Sequence, residues 1–287
     1  MELYIIQAVL GALMFGFGGV FFKWNAVNKA DDNYFFVALY ATGALCFFID
    51  SIDIINQISG MSFFIMAAIV GLGSAGGNFT FAQGMRFGPA GLTSAFAKAN
   101  IVIVILLSAL YYGENITIRE GIGILFFFAA MMTVNLKFGG NEKAANSKWF
   151  LIMTVCIILL AFRNGGLKVV NEMDLPGELV VAMAYTYCAF LFIGLIFKNR
   201  NRTLALGTSN GKTMAIGTAT GLVSYGGLLF YISALKGGPA SIVVTIFSLD
   251  MFFILLLSFL FFGERLNNNQ KVGFLLSAIG LVLIGLK

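Results

Sequence analysis

Apolar runs of about the length of a membrane helix, parted by short polar breaks, follow one another along the whole chain. The pattern predicts ten spans, at 3–22, 34–50, 62–84, 91–112, 118–136, 149–169, 178–197, 213–235, 240–262 and 270–286. Each lies near the ~20 apolar residues that a bilayer core requires of a helix. The runs are continuous in Phe, Leu and Ile, without the period-two alternation of a transmembrane barrel. The longest polar connections, near 139–148 and 199–212, are too short for a water-soluble domain. The predicted class is therefore all-α integral membrane, and any function has to lie within the bilayer. Trp24 at the end of the first span and Trp149 at the start of the sixth each stand beside a lysine. Both are expected in the headgroup layer, where amphipathic rings are favoured.

Two stretches share one pattern. Arg86-Phe87-Gly88-Pro89-Ala90 leads through an apolar run to Gly113-Glu114, and Lys236-Gly237-Gly238-Pro239-Ala240 leads likewise to Gly263-Glu264. In both, the proline stands 25 residues before the glutamate. Adding 150 carries Gly71-Leu72 through Leu136-Lys137 onto Gly221-Leu222 through Leu286-Lys287 without a gap, and Ser74, Gly76 and Gly77 land on Ser224, Gly226 and Gly227. The chain reads as a duplicated unit, with repeats expected over 1–140 and 147–287. Many transporters are built this way, with the substrate held between the repeats.

With 59% hydrophobic and 11% charged residues, the chain has too little charge to coat a soluble globule of its size. The net charge of +5 comes from loop lysines and arginines and implies no nucleic-acid partner. Histidine is absent, which removes His metal sites, catalytic triads and His proton relays. Cys46, Cys156 and Cys188 fall singly within spans as free thiols. Without a Gly-x-x-x-x-Gly-Lys-Ser/Thr loop, ATP is not the direct drive. No enzyme, catalytic residue, metal or cofactor is expected. Gly71 to Gly76 fits a dinucleotide pattern in letters only, since no strand precedes it and its repeat copy has Val223. The first span starts directly after Met1-Glu2 with no basic lead, so it is expected to be retained. Ten helices can enclose a site within one chain, so a monomer surrounded by membrane lipids is expected.

Each half ends in a Gly-Pro-Ala helix start, an apolar helix, Gly-Glu and a final glycine-containing helix. In this the chain resembles the EamA-type members of the drug/metabolite transporter superfamily. The resemblance implies two inverted five-helix repeats, a central cavity between them, and export or uptake of a small metabolite across the inner membrane of a prokaryotic cell. Members of that family usually carry a proline in the middle of helices four and nine. Here Ile101 and Met251 stand at those places, with Asn100 and Asp250 one position earlier, which leaves the usual helix break in question. Loop charges favour both termini outside, whereas the resemblance implies both inside, and the two orientations stay open.

Ionisable groups in mid-span are costly and functional by default. Arg163 with Asn164 lies near the middle of the sixth span, Lys98 and Asn100 near the middle of the fourth, and Asp250 at the corresponding point of the ninth. Two readings stand side by side. In one, Asp250 pairs with Arg163 or Lys98 and only locks the bundle. In the other, some of these groups face a watery cavity and touch substrate. Two cations against one carboxylate leave a positive excess that favours an anionic ligand. Arg163 can hold a carboxylate or phosphate bidentately. Asp250 can bind a substrate amine or accept a proton, so that a zwitterion satisfies both ends.

Ser241, Thr245 and Ser248 form a polar stripe on the ninth span, and Ser248 is the repeat counterpart of Lys98. Tyr225 in the glycine-rich eighth span and Asn78 in the third, with Gln83 behind it, complete the candidates. Arg86, Lys236, Lys23, Glu114 and Glu264 stand at span ends and are expected to snorkel or cap. The sequence thus points to a secondary active transporter of a small anionic or zwitterionic, amino-acid-like metabolite, working by alternating access between two pseudo-symmetric bundles. The alternatives are a multidrug or cationic-compound exporter and a lipid flippase. The first is weakened because helix 1 carries no acidic residue past Glu2, while the matching sixth helix carries Arg163.

Overall fold

In a computed structural model, the described residues are 3–58, 60–113, 116–135, 147–198, 207–237, 243 and 246–285. They form α1 (Leu3–Val27), α2 (Asp32–Asp50), a 3-10 turn (Ile52–Gln57), α3 (Gly60–Phe87), α4 (Ala90–Ala97) and α5 (Asn100–Tyr112). There follow α6 (Ile118–Asn135), α7 (Ser147–Glu172), α8 (Gly177–Lys198), α9 (Asn210–Gly237), α10 (Asp250–Phe262) and α11 (Asn268–Gly285). No strand occurs among the described residues. Seven stretches among them are long and apolar enough to cross a membrane, α4 with the start of α5 counting as one. The other three predicted spans correspond to α6, α10 and α11. Five crossings per half is an odd number, so the second half enters from the opposite side and the repeats are inverted.

The helices pack mainly across the repeats. α3 runs along α7 and α1 along α9, α2 lies against α8, and α6 lies against α11. α2 also meets α9, and α3 meets α8. Exchanging α1 with α7, α2 with α8, α3 with α9 and α6 with α11 maps each of these contacts onto another or onto itself. The fold therefore has a two-fold pseudo-symmetry, and neither sequence half forms a bundle of its own.

Glycines set the closest approaches and reveal the register. A Cβ on Gly71 of α3 would meet the Ala184 carbonyl oxygen of α8 at 3.1 Å, and one on Gly221 of α9 would meet the Leu39 carbonyl oxygen of α2 at 2.6 Å. Gly76 and Gly77 face Leu159 and Leu160 of α7, while Gly226 and Gly227 face Met14 and Phe15 of α1. Small residues let backbones touch where lipid supplies no hydrophobic drive. These contacts give the first two helices of each repeat an offset of 145, which carries Leu39 onto Ala184 and Phe15 onto Leu160. The last three keep the offset of 150, so the second repeat holds five more residues between its second and third helices. Tyr40 thereby becomes the counterpart of Tyr185, and their rings meet edge to face at 5.1 Å on the pseudo-axis.

Gly113 and Gly263, 150 apart, end α5 and α10 with φ of 67° and 66°. This left-handed C-cap is open to glycine at no steric cost. Trp149 at the start of α7 is buried, its ring tilted against that of Phe96 at 5.2 Å, and its indole Nε1–H donates to Thr93 Oγ1 at 3.1 Å.

Candidate functional site

The fourth span is broken after all. α4 stops at Ala97 and α5 begins at Asn100, and around the gap the backbone tightens from i−4 to i−3 bonding: Ala99 N–H donates to Phe96 O, Ile101 N–H to Lys98 O and Val102 N–H to Ala99 O. The Asn100 amide donates to the Ala97 carbonyl at 2.5 Å. A side-chain donor thus satisfies a carbonyl at the break, where a proline would simply have removed a backbone donor. At the equivalent place, Ser248 and Leu249 form a turn before α10, with Leu249 N–H donating to Ile246 O at 3.0 Å. Asp250 takes the place of Asn100.

The two breaks meet at a central cavity of about 490 Å³, within the range of roughly 300–1,000 Å³ usual for small-molecule sites. Lys98 Nζ at the first break pairs with Asp250 Oδ2 at the second, at 2.8 Å. Asp250 is 3% exposed, and its Oδ1 has no side-chain partner. Arg163 and Asn164 project from α7. Arg163 Nε–H donates to Asn164 Oδ1 at 3.1 Å, and the Asn164 amide donates to Asn100 Oδ1 at 2.6 Å. A polar chain therefore runs from Arg163 through Asn164 and Asn100 to the Ala97 carbonyl. No salt bridge joins Arg163 to a carboxylate among the described residues, whereas Lys98 is neutralised by Asp250.

Lys98, Asn100, Arg163, Asn164, Ser248, Asp250 and Asn78 all line this cavity. The Asn78 amide donates to the Tyr40 hydroxyl at 3.0 Å, and that hydroxyl donates to Ser74 O at 2.8 Å. Tyr225 does not reach the lining, because its ring packs edge-on against Phe47 at 5.1 Å. Thr245 and Ser241 lie outside the described residues. Gln83 also turns away, donating to Asp32 Oδ2 at 2.7 Å. The lining includes polar residues not singled out from the sequence: Ser74, Ser224, Ser94, Tyr185 and Tyr231. For Ser74 and Ser224 a signal existed, since the 150-residue register superimposes them.

One turn beyond the cavity, the span-end charges are neither snorkelling nor free. Lys23 is 7% exposed and pairs with Glu264 Oε1 at 2.5 Å, while donating to Met85 O at 2.7 Å. Glu264 Oε2 accepts from Ala90 N–H at 2.9 Å and so caps α4 from the other repeat. Beside it, Arg86 donates to Asp32 Oδ1 at 2.7 Å, and the Asn25 amide donates to the same oxygen at 2.6 Å. Glu114 lies outside the described residues, as does the side chain of Lys236.

Comparison with known proteins gives two findings. The model of the EamA-like transporter family matches residues 2–136 and, a second time, residues 148–286. A solved crystal structure superposes with a TM-score of 0.59 at 15% identity, covering 99% of this chain and 96% of that one, a likeness of fold. The chain has no significant match among curated proteins.

Proposed function

From the premise that the chain belongs to the EamA-like transporter family, a family of membrane transporters and not of enzymes, we propose that it is a secondary active transporter of a small anionic or zwitterionic, amino-acid-like metabolite. The observation that carries this reading is the charge arrangement of the cavity. Lys98 is already neutralised by Asp250, and the guanidinium of Arg163 faces the cavity with only an asparagine oxygen bonded to its Nε. A planar guanidinium in a low-dielectric wall selects a carboxylate or phosphate that can take two parallel hydrogen bonds. Asp250, also in the cavity lining, offers a carboxylate for a ligand ammonium.

In this proposal Lys98, Asn100, Asn164, Ser248, Thr245 and Asn78 complete the substrate site, and Tyr225 leaves it. Alternating access then moves helices drawn from both repeats, because the packing is interleaved. The protein works as a monomer in the inner membrane of a prokaryotic cell, without a cofactor. The test is thermal stabilisation of purified wild type and Arg163→Ala by amino acids, organic acids, phosphorylated metabolites and cationic dyes, since a ligand stabilises in proportion to its concentration over Kd. A carboxylate or phosphate should stabilise the wild type, and the shift should vanish in the variant. Stabilisation by cationic dyes alone, equal in both proteins, overturns the reading and assigns the chain to export of cations.

A further inference from the structure

Asn100 and Asp250 occupy the same register position, 150 apart, each as the first residue of the helix that follows a break. They are nearly isosteric but not chemically equivalent. Asn100 uses both ends of its amide, donating to the Ala97 carbonyl and accepting from Asn164. Asp250 as a carboxylate can only accept. Its Oδ2 takes the Lys98 ammonium, and its Oδ1 is buried with no side-chain partner. The missing bond is the donor half, the one that Asn100 makes at the first break. A single proton on Oδ1 supplies that donor, and the residue that corresponds to Ala97 in the second repeat is Phe247.

We propose that Asp250 is the point at which one proton enters the transport cycle, and that its protonation releases Lys98 to face the ligand as a second cation. The step balances: a proton from solution joins Oδ1, the carboxylate becomes a neutral acid, and the Lys98 ammonium keeps its three protons and loses its counter-charge. The cavity layer then changes from one net positive charge, on Arg163, to two. An anion is thereby favoured in the protonated state, and by reciprocity a bound anion favours proton uptake. The second half of this inference rests on the anion reading above, whereas the first does not.

The surroundings of Asp250 contain few other titrating groups among the described residues. Lys98 approaches from the α4–α5 break, and Arg163 of α7, Tyr185 of α8 and Tyr231 of α9 share the cavity. The α1 face that meets α10 presents glycines and phenylalanines up to Lys23, which is held by Glu264.

Infrared difference spectroscopy of the purified protein, between neutral and acid pH, tests the assignment without a known substrate. Acidification of the wild type should produce, apart from the bands of the exposed carboxyls, the higher-frequency carbonyl-stretch band of a buried protonated carboxyl. The band should be lost in Asp250→Asn, a variant expected to fold because asparagine stands at the same place in the first repeat, and kept in Asp32→Asn. If Asp250→Asn does not fold, Asp250→Glu should keep the band but move its frequency. The pH at which the band appears should shift in Lys98→Met. A missing band, a band unchanged by both Asp250 variants, or a midpoint indifferent to Lys98 overturns the proposal. A band lost as expected, together with ligand stabilisation indifferent to Arg163, removes the anion anchor and leaves the proton site standing.

Discussion

The two repeats build the same frame and line it differently, and the contrast is sharpest between α1 and α7. α1 turns Phe15, Gly18, Gly19 and Phe22 to the cavity, and α7 turns Leu160, Arg163, Asn164 and Leu167. The offset of 145 pairs these residues one for one. Where the second repeat places a cation and an amide, the first places two glycines. Those glycines let other helices in, since a Cβ on Gly19 would run into Ile254 of α10 and one on Gly16 into Phe253. The exchange extends to the neighbouring helices. Gly73 of α3 makes room for the backbone of Arg163, whereas its counterpart Val223 stands over Gly18, where an added Cβ would meet it at 3.7 Å. Bulk and space have changed sides while the frame stayed fixed. Symmetry supplies the helix positions, and its local violation supplies the chemistry.

Exchanging counterparts should break this arrangement in graded fashion. Gly73→Val imports the residue that the second repeat uses. Its Cβ alone would lie 2.8 Å from the Leu159 carbonyl oxygen, and backbone cannot yield as a side chain does, so little folded protein should be recovered by gel filtration. Val223→Gly should be milder, a cavity costing about 1–2 kcal/mol in thermal unfolding. Lys98→Met leaves Asp250 buried without its cation, and stability should fall by about 3 kcal/mol, the low end for a broken buried pair, because the lysine side chain is 23% exposed. The double variant Lys98→Ser with Asp250→Asn, which gives each break the polar residue of the other, should recover most of that loss.

The smallest effect belongs to the tyrosines on the axis. Tyr40→Phe removes a hydroxyl that donates to Ser74 O and accepts from Asn78, at about 1 kcal/mol. Tyr185→Phe should be distinguished from it by a ligand-binding effect, since Tyr185 is a lining residue. Equal stability losses with no change in binding would mean that the axis is symmetric in function as well as in position.

The spans and the 150-residue register could be read from the chain because length and apolar continuity decide whether a helix crosses a bilayer, whatever its neighbours. The helix break could not. It was sought as a proline at Ile101 or Met251, and it is made by Asn100 bonding back to Ala97 together with a lysine and an aspartate 152 residues apart. Such a break depends on tertiary partners, and no local pattern records them. The 145-residue register of the first two helices was hidden for the same reason, since Phe15 and Leu160 or Gly18 and Arg163 share a place but no chemistry. Mid-span ionisable groups announced themselves by cost, and Lys98, Arg163 and Asp250 do surround one cavity. Tyr225 misled because depth in the membrane says nothing about which way a helix is rotated. Tyr185, the counterpart of Tyr40, could be picked out only once the offset was known. Lys23 and Glu264 looked like interface charges because each stands at a span end, and only the cross-repeat packing buries the pair.

That interleaving sets a problem for the chain while it is being made. α1 is complete at Val27, but α9, the helix it lies along, does not begin until Asn210, and Lys23 must wait for Glu264. At synthesis rates of roughly 5–20 residues per second the wait is on the order of ten to forty seconds. Throughout it, the first five helices stand in the membrane with their packing faces bare and a lysine lacking its carboxylate. The half-made protein therefore depends on whatever holds it in the bilayer, an insertion machinery or its own lipids, until the second half arrives to close around it.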